Sequence, residues 1–210
     1  MPNNIRSIFV ILPICILPAF TFASEIREFD LNTIERLGSE LARVSQTRDR
    51  GATNAVRKRA RETAIAALQG KLFNIHYDYV VLDDPDGSGY LVYALAQSRN
   101  KIVLGGHFRV TVSADGEKAE RVDALSHTLL FAPLPPKGSE GKKPVTVSMS
   151  QAVSDKPLET CVYTSLHEKV IVSVGMMDGA VWSFVGDKVF KMTPQMMKAL
   201  GVDERNATKK

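Results

Sequence analysis

The 210-residue sequence predicts an α+β protein, with an N-terminal helical pair packed on a curved antiparallel β-sheet (a meander) and a short C-terminal helix. Three observations predict it. Apolar residues recur at helical spacing from residue 25 to residue 70. From residue 71 the period changes to two. Turn residues then cut the chain into short runs, and connections that short join antiparallel neighbours, whereas parallel strands need long crossovers.

Residues 1–23 come first and have the layout of a secretory signal. Arg6 precedes an apolar run from Ile8 to Phe22, and small residues at Thr21 and Ala23 place the cut between Ala23 and Ser24. The run is broken by Pro13 and Pro18 and is shorter than the roughly 20 residues a spanning helix needs, so no membrane span is expected after cleavage. Cys15 follows Ile14, which fits a lipidation signal poorly. The expected location is periplasmic or secreted. Loss of the leader removes Arg6 and no acid, so the net charge falls from +4 to +3, too mild to suggest nucleic acid as a partner. One cysteine, Cys161, then remains, which excludes an internal disulfide framework. It sits in an apolar pattern and is expected to be buried and inert.

The rest, residues 24–201, reads as one domain, with a frayed tail over 202–210. Helices occupy about 25–70. Ile26, Phe29, Ile34, Leu37, Leu41 and Val44 share one face, with Asp30 and Asn32 as caps. Asp49–Gly51 breaks the run. A second helix spans about Thr53 to Gln69, and its alanine-rich stripe (Val56, Ala60, Ala64, Ala67, Leu68) demands close packing. The first meander covers about 71–132. Its strands are expected at Phe73–Val81, Tyr90–Gln97, Ile102–Ala114 (bent at Gly105-Gly106) and Arg121–Phe131. The prolines and lysines of 133–144 form a loop. Further strands over about 145–192 are expected at Val145–Ala152, Leu158–Ser165, Lys169–Val174, Val181–Phe184 and Lys188–Lys191. A terminal helix starts at Pro194. The helices are expected across one face of the sheet.

Several constellations bear on function. Asp84, Asp86 and Ser88 place oxygens at positions 1, 3 and 5 of a calcium-type loop with Gly89 at position 6, so a divalent cation is one reading of Asp84–Gly89. Position 12 is Leu95 where an acid is needed, and the same residues are ordinary turn formers. Arg57, Lys58, Arg59 and Arg61 crowd the second helix near Arg48 and Arg50, a candidate docking surface for a polyanion or a partner. His76, His107, His127 and His167 lie on or beside expected strands at no close ligand spacing. Cys161 with His167 reads as structural, and Trp182 beside Met176 and Met177 reads as core. Nucleophile-elbow, zinc-protease and phosphate-loop motifs are absent from the sequence. The stretches Asp83–Ser98 and Gly105–Gly116 resemble those of exported bacterial proteins, without naming a family.

The leading expectation is therefore an exported, non-enzymatic binding or envelope-associated protein whose partner is a protein or an anionic envelope component. The alternative is an envelope hydrolase or metal-dependent enzyme assembled from His76, Asp78 and His107.

Overall fold

A computed structural model describes residues 26–135 and 145–199. The segment expected to be a signal, most of the proline loop and the tail lie outside the described residues.

The chain enters through a short arm, Ile26–Asp30, and turns into α1 (Leu31–Ser45). Asp30 caps it, accepting from the Thr33 N–H and the Thr33 hydroxyl. Ile34, Leu37, Leu41 and Val44 make its buried stripe. At Gly51 the backbone has φ +83°, and a Cβ would stand 2.1 Å from the Val81 carbonyl, so only glycine fits this turn. Asn54 caps α2 (Ala55–Ala67).

A first sheet follows, made of β1 (His76–Asp83), β2 (Tyr90–Gln97), β4 (Phe108–Val112) and β5 (Ala119–Ala124), all neighbours antiparallel in the order β1-β2-β4-β5. This is the expected meander with one change. The third and fourth expected strands are each cut in two. Gly106, at φ +96°, turns the chain between β3 (Lys101–Val103) and β4, and Leu125–Leu130 separates β5 from β6 (Phe131–Pro133). β3 and β6 pair with each other as a separate ribbon.

Both helices pack on the first sheet, but from opposite sides. Val80, Leu82, Leu91, Tyr93 and Leu95 face α1, while Val81, Val92, Ala94, Val110 and Val112 face Ala60, Ala64 and Leu68 of α2. Strand alternation here separates two apolar layers, where a half-exposed sheet would separate core from water. The small stripe of α2 allows the close approach it demanded.

The C-terminal part corrects one expectation outright. Leu158–Ser165 is not a strand; it is the start of α3 (Glu159–Glu168). Every residue from Glu159 to Ser165 is buried, so no polar stripe marks the 3.6 period, and short apolar runs of this kind are ambiguous between strand and helix. Pro157 stands just before it, and Lys169 closes it in the left-handed region at φ 54°. The helix links β7 (Thr146–Gln151) to β8 (Ile171–Met176) as a parallel pair. β9 (Val181–Val185) and β10 (Lys188–Lys191) add antiparallel, giving a second sheet in the order β10-β9-β8-β7. The last element is α4 (Pro194–Ala199). One apolar cluster joins α1, α3, the inner face of the first sheet and the inner face of the second.

Among the described residues, no helix is long and apolar enough to cross a membrane.

Candidate functional site

The strongest electrostatic feature is buried. Arg109 on β4 is fully enclosed. Its guanidinium donates to Asp123 of β5 through Nε (3.2 Å) and Nη2 (2.8 Å), to Glu159 of α3 through Nη1 (2.6 Å), and to the Arg27 carbonyl. Tyr93 completes the group, donating its hydroxyl to the same Glu159 oxygen at 2.9 Å. Burial alone would lower the proton affinity of Arg109; the charge of Glu159 and the Asp123 contacts outweigh it and hold the guanidinium ionised. Burial, and then Glu159, push the Tyr93 phenol well above its ordinary value.

The arm caps this centre. The Phe29 ring lies 4.7 Å from the Arg109 guanidinium and 4.9 Å from that of Arg27. Arg27 is in turn held by the loop expected to bind a cation. It donates to both oxygens of Asp84 at 2.7 Å and to Asp86 at 2.9 Å, while Asp84 also accepts from the Asp86 N–H. Burial works against the Asp84 charge, but the Arg27 hydrogen bonds prevail and lower its pKa. A guanidinium thus takes the carboxylates of Asp84 and Asp86. Ser88 sits exposed on the same turn. No group of three or more metal-ligating side chains is gathered among the described residues.

The basic cluster divides into two pairs. Arg57 is drawn inward, donating to the Gly51 and Val81 carbonyls and to Asp83, with its guanidinium 5.5 Å from the Tyr90 ring centre. Arg59 binds the Asp115 carbonyl and Glu117 at the tip of the β4–β5 hairpin. Lys58 and Arg61 have no ion-pair partner among the described residues. Half of the expected surface is therefore a clamp between α2 and the first sheet.

The histidine and acid set is only partly assembled. Asp78 pairs with Arg50 at 2.9 Å and lies 3.5 Å from His76. His107 is sealed inside at 2% exposure, its Nδ1 accepting from the Ala96 N–H at 3.0 Å, and burial drops its pKa to about 4. No hydrogen bond or ion pair among the described residues joins it to His76 or Asp78. His127 is exposed. His167 stacks on Tyr163 (5.1 Å) beside Glu168, whose hydrogen bond raises its pKa. Cys161 is buried and burial pushes its thiol up to about 12, as suits an inert residue. Trp182 packs at the margin of the core with Lys191 over its ring, Met176 is buried, and Met177 is 78% exposed.

No protein-family model, curated protein or solved structure matches this chain.

Sequence reasoning missed Arg109, Asp123 and Glu159. Arg109 shares its strand side with His107 and Thr111, which reads as a water-facing polar row. Only the covering arm and α3 make that row an interior.

Proposed function

We propose that this chain is an exported, non-enzymatic binding protein that meets a protein partner with its second sheet. The observation behind this reading is the outer face of β7–β10. Strand register brings Ile171, Val181, Val185 and Phe190 to one side, interleaved with Ser148, Ser173 and Ser183. Val185 and Phe190 are 45% and 46% exposed, whereas Val172, Val174 and Phe184 on the other side enter the core. A central row of serines flanked by Val185 and Ile171 on one side and Val181 on the other, with Phe190 on the edge strand and Lys188 at the rim, suits contact with another protein surface. The groups that chemistry would need have internal duties: Glu159 and Asp123 hold Arg109, Asp84 holds Arg27, and His107 holds a backbone amide. The layout of residues 1–23 is what supports export.

The test is affinity capture from envelope extract with three baits of matched thermal stability: the parent chain, Val185→Asp with Phe190→Asp, and Lys58→Ala with Arg61→Ala. Arg57 and Arg59 are left intact because they hold α2 in place. A partner kept by the first and third baits and lost by the second supports the sheet face. A partner lost only by the third moves the contact to α2, and capture by none of them defeats the proposal.

A further inference from the structure

The second sheet ends at β7, and the orientation of that edge follows from its ladder. The Ile171 N–H donates to the Val145 carbonyl at 2.9 Å, and the parallel register sets Thr146 beside Ile171. Val145, Val147, Met149 and Gln151 therefore turn their backbone groups toward β8, while Thr146, Ser148 and Ser150 turn theirs away from it. The remaining edges of the two sheets carry charge, the ordinary protection against unwanted pairing. β1 has His76, Asp78 and Asp83, β5 has Glu120, Arg121 and Asp123, and β10 has Lys188 and Lys191. The β7 sequence, Thr-Val-Ser-Met-Ser-Gln, has neither a charge nor a proline.

A cleft of about 190 Å³ lies at the C-terminal end of this strand, between residues of the segment 125–130 and residues 149–153. Leu125, Leu130, Met149 and Val153 supply its apolar lining, and no acid, lysine or arginine contributes. Gln151 adds a directional feature. Its Nε2 donates to the Ser154 and Lys156 carbonyls, which fixes the amide, and its buried Oε1 has no donor among the described residues.

We propose that β7 is a docking strand: an extended, uncharged peptide segment of the partner adds to the edge that no described strand pairs and sets apolar side chains into the cleft. The proposal rests on the partner-binding reading above and deepens it from a face to an edge. The backbone row requires an extended occupant, because a helix has no free groups to offer it. The lining offers no acid, lysine or arginine to pair a buried charge, which selects against charged side chains at the inward positions.

Ser148→Pro is the discriminating substitution. Its lost N–H points away from β8, so the β7–β8 ladder stays whole while strand addition is blocked. The probe is a short, labelled, end-blocked peptide of alternating serine and valine, followed by fluorescence anisotropy on the full chain. Saturable binding is expected, weakened on the order of tenfold or more by Ser148→Pro, by a proline at the peptide centre, and by lysines in place of its valines. Thermal melting of Ser148→Pro should match the parent. Equal affinity for parent and variant, or no saturable binding, overturns the proposal. So does a concentration-dependent dimer that Ser148→Pro abolishes, which would make a second copy the occupant. A Ser148→Pro bait that still captures the envelope partner sinks the edge alone, whereas failure of every bait sinks the edge and the face together.

Discussion

Burial determines what His107 does. Burial holds the ring neutral, and its pKa drops from 6.5 to about 4. Below pH 6.5 the unfolded chain takes up a proton that the folded chain refuses until about pH 4. The stabilising contribution is thus complete above pH 6.5 and is lost as pH falls toward 4, at about 1.4 kcal/mol per pH unit. His167 acts in the opposite sense: Glu168 raises its pKa, so its contribution is present below pH 6.5 and is lost as pH rises. We expect urea unfolding to show His107→Gln destabilised near neutrality, with the gap to the parent closing by about 3 kcal/mol by pH 4. A gap independent of pH would show that His107 is not buried neutral. Sequence spacing located this histidine and treated it as a scattered one. What it lacked was the cover: Tyr163, lying edge-on at 6.4 Å, belongs to α3, the element misread as a strand. The same cover hides Arg109, Asp123 and Glu159, whereas Arg57 and Asp84 were visible because turn chemistry and charge density can be read locally.

At the scale of elements, the contact between α1 and α3 depends on Gly38. A Cβ there would meet the Val162 Cβ at 2.3 Å and the Glu159 carbonyl at 2.6 Å, backbone and branch point that cannot rotate away. Gly38→Ala should force the helices apart and cost about 1–3 kcal/mol despite the better helix propensity of alanine, readable as a lower Tm. A neutral or stabilising result would mean that the two helices are not in close contact. The elements that were legible share a property. α1 has a cap and a one-sided stripe, and the β4–β5 hairpin has Asp115-Gly116, with Gly116 at φ +77°. α3 has no side-chain cap and is buried all round from Glu159 to Ser165, and its wrong assignment concealed the parallel β7–α3–β8 connection and with it the second sheet's order. The opposite placement of α1 and α2 was hidden for a related reason. β2 is apolar at nearly every position, so alternation cannot say which helix takes which face.

Across the whole molecule, two sheets share one interior. α1 and α3 pack between the inner face of the first sheet and that of the second, and Arg109 ties β4 to β5, to α3 and to the arm at once. A substitution in the first sheet should therefore be felt in the second. Trp182, the single tryptophan of the chain, reports on the second sheet through its fluorescence, and far-UV circular dichroism reports on both. Arg109→Met removes the guanidinium and leaves Asp123 and Glu159 enclosed without it, at a cost of about 3–5 kcal/mol. That is a large share of a typical folding free energy of about 5–15 kcal/mol, so the shift in urea midpoint should be plain. In the parent chain the two signals should give one midpoint, and in Arg109→Met both should fall together by the same amount. If the fluorescence midpoint stays in place while the dichroism midpoint moves, the second sheet folds by itself. Its outer face and its β7 edge would then belong to a separable module whose binding survives the loss of the buried ionic centre.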